Sequence, residues 1–328
     1  LTRISFGSCL SEKEDQSIWT KIKAENADLF VFMGDNVYGD AAKADPAFTD
    51  PAMPKMRASY AQLAKSAPFA DFRKTTPMMV AWDDHDYGVN DGGVDYGFKA
   101  RAKELFLDAW AIPADDPRQT RDGTYTAQTI GPEGQRVQII LLDTRSFRTS
   151  LTPTDEKGAP GKERYIPSTD KTGTMLGDAQ WGWLEQQLNQ PVNLRIIVSS
   201  IQVIADGHGW EAWATMPHER ERLYQLLAAK TSGNTILLSG DRHIGAFYSQ
   251  NKAVPFYLLE ATSSSLNRPA SKWRAENGET STEAGPYRVS PIQYEVNYGL
   301  MDINWTQKSV TLQIVSPGNE TMTKNIDF

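Results

Sequence analysis

The amino-acid sequence predicts an α/β protein with two packed, mixed β-sheets flanked by helices. Three short apolar segments, 29–33, 78–82 and 234–240, each end in a group of polar residues, which is typical of strands buried on both faces of a parallel sheet. Helical patterns lie between such segments, and a strand–helix–strand order pairs strands in parallel. Three later segments alternate apolar and polar residues, which predicts a second, partly antiparallel sheet that packs on the first.

The first half of the chain is predicted to contain four strands and two helices. The strands cover residues 2–9, 29–33, 78–82 and 136–143, and the helices cover residues 15–25 and 98–111. Trp19 and Ile22 lie on one face of the first helix, and Pro113 ends the second. The polar segment 40–77 is weakly helical around residues 54–65. Because long insertions often act as lids, we expect this segment to cross the surface above the active face.

The second half is predicted to contain five strands and two helices. The strands cover residues 195–203, 234–240, 256–262, 300–305 and 310–315, and the helices cover residues 176–188 and 217–229. Trp181, Leu184 and Leu188 have helical spacing, and Asp178 is expected to cap the N-terminus of their helix. The sequence contains no clear linker and no internal repeat, so its 328 residues are expected to form one domain.

The composition excludes several classes of protein. A net charge of −7 and a pI of about 5.3 argue against a general nucleic-acid binder, although bound metal ions could still attract an anionic substrate. No apolar run approaches the ~18 residues that a membrane-spanning helix needs. Cys9 is the only cysteine, so an internal disulfide is excluded.

Polar residues follow four of the predicted strands at the points where the strands end. Cys9 follows the first strand, Asp35 the second, residues 83–86 (Asp-Asp-His-Asp) the third, and residues 241–243 (Asp-Arg-His) a later one. Ligands bind outside the carboxyl ends of strands in open α/β sheets, and cations relieve the repulsion among clustered carboxylates. We therefore expect a site for two or more metal ions. Each feature alone has a simpler explanation, such as a capping Asp, a solvated acidic loop, a buried thiol or a core histidine.

Two further candidate residues lie in loops. Arg145 comes just after the strand 136–143, where its guanidinium could bind phosphate oxygens or form an ion pair with the acidic cluster. His208, between two glycines, could contact a substrate or be solvated. The sequence leaves both pairs of alternatives open.

Taken together, the motifs resemble those of the PhoD-like alkaline phosphatases, within the calcineurin-like metallophosphoesterase superfamily. The resemblance extends from residue 6 to about residue 248 and rests on six motifs. They are Phe6-Gly7-Ser8-Cys9, Gly34-Asp35-Asn36-Val37-Tyr38, Trp82-Asp83-Asp84-His85-Asp86, Leu142-Asp143-Thr144-Arg145, Leu176-Gly177-Asp178-Ala179-Gln180-Trp181 and Ser239-Gly240-Asp241-Arg242-His243. This resemblance implies the sandwich fold of the metallo-dependent phosphatases and the hydrolysis of phosphoric esters.

The resemblance also implies one ferric ion and one or two calcium ions, with zinc and manganese less favoured. The implied iron ligands are Cys9, Asp35, Tyr38 and His243. The implied calcium ligands are Asp35, which would bridge the two metals, Asp84 and Asp241. Thiolate and phenolate donors suit a transition metal of high charge, and ligation by oxygens alone suits calcium. The superfamily histidine after the fifth strand is missing from residues 197–202, which again favours a hard cation.

By the same resemblance, a metal-activated hydroxide or oxo nucleophile would attack phosphorus. His85 would stabilise a phosphate oxygen or protonate the leaving group, Asp86 would hold its imidazole, and Arg145 would contact the non-bridging oxygens. The other substrate-binding candidates are Arg242, Asn90 and His208. The family often has Glu at position 86 and a small apolar residue at position 242.

Two alternatives remain beside hydrolysis of a small phosphoric ester. One is a phosphodiesterase that acts on a bulky lipid or nucleotide diester, for which Trp210 and Trp213 could form the pocket. The other is a non-catalytic protein that binds phosphate or metal. The resemblance further implies an extracytoplasmic enzyme, periplasmic or secreted, whose partner is a small-molecule phosphoester.

Overall fold

A computed structural model describes residues 1–42, 44–277, 283 and 285–328. The strands in these residues are β1 (Arg3–Gly7), β2 (Leu29–Met33), β3 (Met78–Ala81), β4 (Thr126–Ile130), β5 (Val137–Leu141), β6 (Leu194–Ser199), β7 (Thr235–Ser239), β8 (Gly245–Gln250), β9 (Leu258–Ser263), β10 (Tyr298–Asn304), β11 (Ser309–Val315) and β12 (Met322–Asp327). The α-helices are α1 (Ile18–Ala24), α2 (Pro54–Lys65), α3 (Ala67–Thr75), α4 (Asp84–Tyr87), α5 (Lys99–Ala109), α6 (Gly177–Leu188), α7 (Pro217–Lys230) and α8 (Ala270–Asn277).

The strands form two mixed sheets of six strands each, which confirms the predicted fold class. The first sheet has the order β12-β11-β10-β1-β2-β3, and the second has the order β4-β5-β6-β7-β9-β8. The central strands β1–β3 and β5, β6, β7 and β9 run parallel, while the remaining strands pair antiparallel.

The last strands of the chain extend the first sheet. β10 pairs with β1, with Arg3 opposite Asp302, and β11 pairs with β10. The prediction that residues 300–305 and 310–315 belong to a second sheet is therefore wrong. Their alternation correctly indicates which face of each strand is apolar, but a strand's period does not identify its neighbour in the sheet.

β2 is buried on both faces, which explains its uninterrupted apolar sequence. Its odd-numbered residues pack between the two sheets with residues of β5, β6 and β7. Phe30 and Phe32 face the helices, with ring centroids 5.3 and 5.7 Å from Trp19 of α1, and Phe69 of α3 lies 5.0 Å from the same indole. Each such aromatic pair contributes about 0.5–1.5 kcal/mol beyond area burial. This packing fixes the strand from which the site residues project.

Two local predictions differ from the structure. The segment 40–77 forms α2 and α3, whose buried Met56, Leu63 and Phe72 belong to the helical layer beside the first sheet. Asp178 lies in the first turn of α6, because the helix begins at Gly177, whose N–H donates to the Thr174 hydroxyl at 2.9 Å. Among the described residues, no helix is long and apolar enough to cross a membrane.

Candidate active site

The carboxyl ends of β1, β2, β3 and β7 meet at one edge of the sandwich. Cys9, Asp35, Asp241 and His243 lie just beyond three of these strands and have left-handed backbones, with φ of 59°, 51°, 70° and 57°. Left-handed φ is unfavourable for residues other than glycine, and such residues cluster at functional sites. Their concentration at one sheet edge therefore indicates the location of the site.

Gly34 allows the ends of β2 and β3 to approach each other. It has a φ of 107°, and a Cβ at this position would lie 2.6 Å from the Cβ of Asp83. Just after it, Asp35 joins two parts of the site. Its Oδ1 accepts a hydrogen bond from the backbone N–H of His85 (3.3 Å), and its Oδ2 accepts one from the Tyr38 hydroxyl (3.2 Å).

Cys9, Asp35 and His243 form one group of candidate metal ligands, with a ligand atom of each within 4.8 Å of the others. The Tyr38 hydroxyl completes the group, 3.0 Å from Nε2 of His243. Burial and nearby arginine charges lower the pKa of His243 to about 3, which keeps its imidazole neutral, as metal binding requires. Burial and then the charge of Asp35 raise the pKa of Cys9 and of Tyr38, and a cation would favour the thiolate and phenolate instead.

Asp83, Asp84 and Asp241 form a second group within the same distance limit of 4.8 Å. Burial raises the pKa of Asp241, and repulsion from Asp83 raises it further. Oδ1 of Asp84 and Oδ2 of Asp83 are buried without a hydrogen-bond partner in the described chain. Because an unpaired buried carboxylate is costly, this oxygen-rich set fits a divalent cation. Asp35 and Asp84 share a further group with His85, so the two metal positions are adjacent.

Asp40, rather than Asp86, holds the imidazole of His85. Nδ1 of His85 lies 2.8 Å from Oδ1 of Asp40. Asp86 is fully buried and accepts hydrogen bonds from the backbone N–H groups of Asp83 (2.5 Å) and Asn36 (3.1 Å). The prediction that Asp86 orients His85 is therefore wrong, because this carboxylate accepts the hydrogen bonds of the capping box of α4 and of Asn36 instead.

Arg145 forms buried ion pairs and does not line the cavity. Its Nη2 lies 2.5 Å from carboxylate oxygens of both Asp83 and Glu211. Arg148 contacts the other oxygen of Glu211 at 2.6 Å. The structure therefore supports the ion pair, which was one of the two alternatives. The prediction that Arg145 contacts a phosphate is wrong, because its side chain is 0% exposed.

A cavity of about 320 Å³ opens onto the metal-ligand groups. Asn90 and Arg242 line it, as expected of substrate-binding residues. His208 does not line it and is buried, with its Nδ1 accepting a hydrogen bond from the backbone N–H of Trp210 (3.1 Å). Burial and then the charge of Arg242 lower the pKa of His208 to about 4. No described residue of the segment 40–77 lines the cavity, although Asp40 contacts His85 of its wall, so the lid stays a prediction.

Several residues of this region were not predicted from the sequence. They include Asp40, Arg164, Glu211, Arg268 and Arg274. Arg268 comes shortly after β9, and its Cζ lies 4.6 Å from the centroid of the Tyr38 ring. Arg268 follows the end of a strand, as Asp35 does, so it could have been recognised from the sequence for the same reason. Asp40 and Glu211 lie in loops, where no periodicity marks them.

Comparison with known proteins agrees with this geometry. The family described as PhoD-like phosphatase matches residues 5–314. The protein "Alkaline phosphatase D" of Bacillus subtilis (strain 168) is 25% identical over an alignment of 228 positions that covers 64% of this chain and 37% of that protein. The matched region thus spans well under half of that relative's length. A solved structure, "Structure of PhoD", matches 99% of this chain and 69% of its own with a TM-score of 0.70 and 16% identity, which supports the fold. Because the family match covers nearly the whole sequence, the chain belongs to the PhoD-like phosphatase family.

Proposed function

We propose that this chain hydrolyses phosphoric esters in a metal-dependent reaction. The observation that carries the proposal is the set of overlapping ligand groups, with unpaired buried carboxylate oxygens, at one end of the cavity. Such groups at strand ends suit a centre that binds and polarises an anionic substrate. Membership of the PhoD-like phosphatase family supports the same reaction.

We propose ferric iron and calcium as the metals. The iron would be held by Cys9, Asp35, Tyr38 and His243, and calcium would be held by Asp35, Asp84 and Asp241. When bound, these ions would supply Lewis-acid polarisation and neutralise charge that develops on the phosphate. We expect a visible phenolate-to-iron absorption that Tyr38→Phe abolishes. Absorption that survives this substitution would contradict the role of Tyr38.

His85 is the proposed proton donor. It lines the cavity, and Asp40 holds its Nδ1, which leaves Nε2 for the leaving-group oxygen. Burial alone would lower the pKa of His85, but the charges of Asp84, Asp35 and Asp40 raise it well above its ordinary value. Asp40 is not among the proposed metal ligands, so its contact with Nδ1 would still favour the protonated imidazole that a proton donor requires when the metals are bound.

The substrate is proposed to be a small-molecule ester, and the cavity walls favour a phosphodiester with a bulky organic group. Trp210 and Trp273 line the cavity and are proposed to contact such a group. Arg242 and Asn90 line the same cavity and are proposed to bind the non-bridging oxygens of the phosphate. An extracytoplasmic location is proposed from the family resemblance and would be tested by fractionation of cells that express the natural gene.

Hydrolysis of an aryl phosphate monoester and of a bis-aryl phosphate diester tests this function. The metal-loaded protein would be assayed at neutral to alkaline pH with calcium, after chelation, and after calcium is restored. We expect turnover that chelation abolishes and calcium restores, with a higher rate for the diester. Asp35→Asn should lower turnover by on the order of 100-fold, while the matched variant Asp178→Asn, on the exposed side of α6, should not. Absence of turnover in metal-loaded protein would reject the proposal.

A further inference from the structure

Four arginines line the cavity, but only two of them have a carboxylate partner among the described residues. Arg164 lies 2.7 Å from one carboxylate, and Arg242 contacts another. Arg268 and Arg274 line the same cavity, and within the described ranges neither has a carboxylate oxygen within salt-bridge distance. Among the described lining residues, the two guanidinium groups without a carboxylate in salt-bridge distance are therefore those of Arg268 and Arg274.

Arg268 and Arg274 each lie over an aromatic ring. Cζ of Arg268 is 4.6 Å from the centroid of Tyr38, and Cζ of Arg274 is 4.5 Å from the centroid of Tyr294. A guanidinium over a ring face keeps its in-plane N–H donors free, and their fork matches two oxygens of a phosphate. Both arginines can therefore donate to a ligand in the cavity.

The two arginines lie at different distances from the metal centre. Tyr38, beneath Arg268, contacts Nε2 of His243 at 3.0 Å, so Arg268 is adjacent to the candidate ligands. The backbone N–H of Ala270 donates to the carbonyl of His243 at 2.9 Å, so α8 begins beside the centre. Arg274 lies about one helical turn further along α8. Arg268 is thus next to the candidate ligands, and Arg274 follows on the helix that begins beside them.

We propose that Arg268 and Arg274 form a row of two anion-binding positions that selects esters with a second phosphate on their organic group. This inference rests on the proposed hydrolysis. Arg268 binds the phosphate that is cleaved, and Arg274 binds the second phosphate. The chain has a net charge of −7, which repels such a substrate at long range. Inside the cavity, the guanidinium groups of Arg268 and Arg274 provide local attraction for its two anionic groups.

Two matched 4-nitrophenyl phosphodiesters test the row. In one, the second ester group is a butyl chain that ends in a hydroxyl, too distant to close a five-membered ring on phosphorus, and in the other the butyl chain ends in a phosphonate, which is not hydrolysed. Release of 4-nitrophenolate by the metal-loaded enzyme gives kcat/KM for each. The hydroxyl compound reports the proposed hydrolysis itself, and the ratio of the two values reports the outer position.

Arg274→Gln should lower kcat/KM about tenfold for the phosphonate compound, the loss expected for one charge-assisted hydrogen bond, and less than about twofold for the hydroxyl compound. Arg268→Gln should lower both values together, since both compounds contain the cleaved phosphate. Arg101→Gln, which removes a charge on α5 where Arg101 pairs with Glu104 at 2.6 Å, controls for net charge and should leave the ratio unchanged.

If Arg274→Gln changed kcat/KM equally for both compounds, or for neither, the proposed row of two anion-binding positions would be wrong, while the proposed hydrolysis would stand. Arg274→Lys should keep part of the preference, because it retains the charge and loses the fork. If the wild-type enzyme with its metals cleaved neither compound, the proposed hydrolysis would fail first, and the selectivity would fail with it.

Discussion

Replacement of Asp40 by Ala is expected to impair turnover by releasing His85, with little effect on folding. Oδ1 of Asp40 lies 2.8 Å from Nδ1 of His85, and both side chains are 20% exposed, so water screens the pair only in part. A hydrogen bond between charged groups contributes about 1.5–3 kcal/mol. At about 1.4 kcal/mol for each tenfold step, turnover should fall by about 10- to 150-fold.

The assay is kcat for an aryl phosphate ester across neutral to alkaline pH, with the metal content of each protein measured. Asp40 helps to raise the pKa of His85, so its removal should lower that pKa. Because a proton donor must be protonated, the fall of kcat on the alkaline side of the pH profile should then begin at lower pH. Asp40→Asn keeps an acceptor and loses the charge, so its kcat should lie between those of wild type and Asp40→Ala. A kcat within twofold of wild type for Asp40→Ala, or an unmoved alkaline limb, would refute the pairing of Asp40 with His85.

Three other perturbations have defined outcomes. Asp86→Asn directs an amide NH₂ at the donors of Asn36 and should lower the free energy of unfolding by about 1–3 kcal/mol in urea titrations. An unchanged midpoint of the urea transition would show that these hydrogen bonds to Asp86 are unimportant for stability. Arg145→Met leaves Asp83 buried without its guanidinium, while Glu211 keeps only Arg148, and should cost about 3–5 kcal/mol by the same measurement, whereas a loss below 1 kcal/mol would argue against the ion pairs of Arg145. Chelation of the proposed calcium should lower the melting temperature, since a ligand at 100 times its Kd stabilises by about 2.7 kcal/mol, and a melting temperature that chelation does not change would argue against metal binding at the buried carboxylates.

The sequence by itself determined the fold class and the edge of the sandwich where the site lies. The segment 29–33 could be recognised because a strand buried on both faces needs apolar side chains at every position. Asp35 and Asp241 could be recognised because parallel strands place their carboxyl ends together, so polar residues that follow such strands meet. Both inferences use only local order along the chain.

Only the tertiary structure decided which distant groups become partners. His85 pairs with Asp40, 45 residues away, although Asp86 is its neighbour in sequence. Arg145 pairs with Asp83, 62 residues away, which converts a candidate substrate contact into a buried ion pair. The place of β10 beside β1 was likewise decided by packing. Periodicity fixes the direction in which a side chain projects, whereas the choice of partner depends on how loops and sheets approach one another in three dimensions.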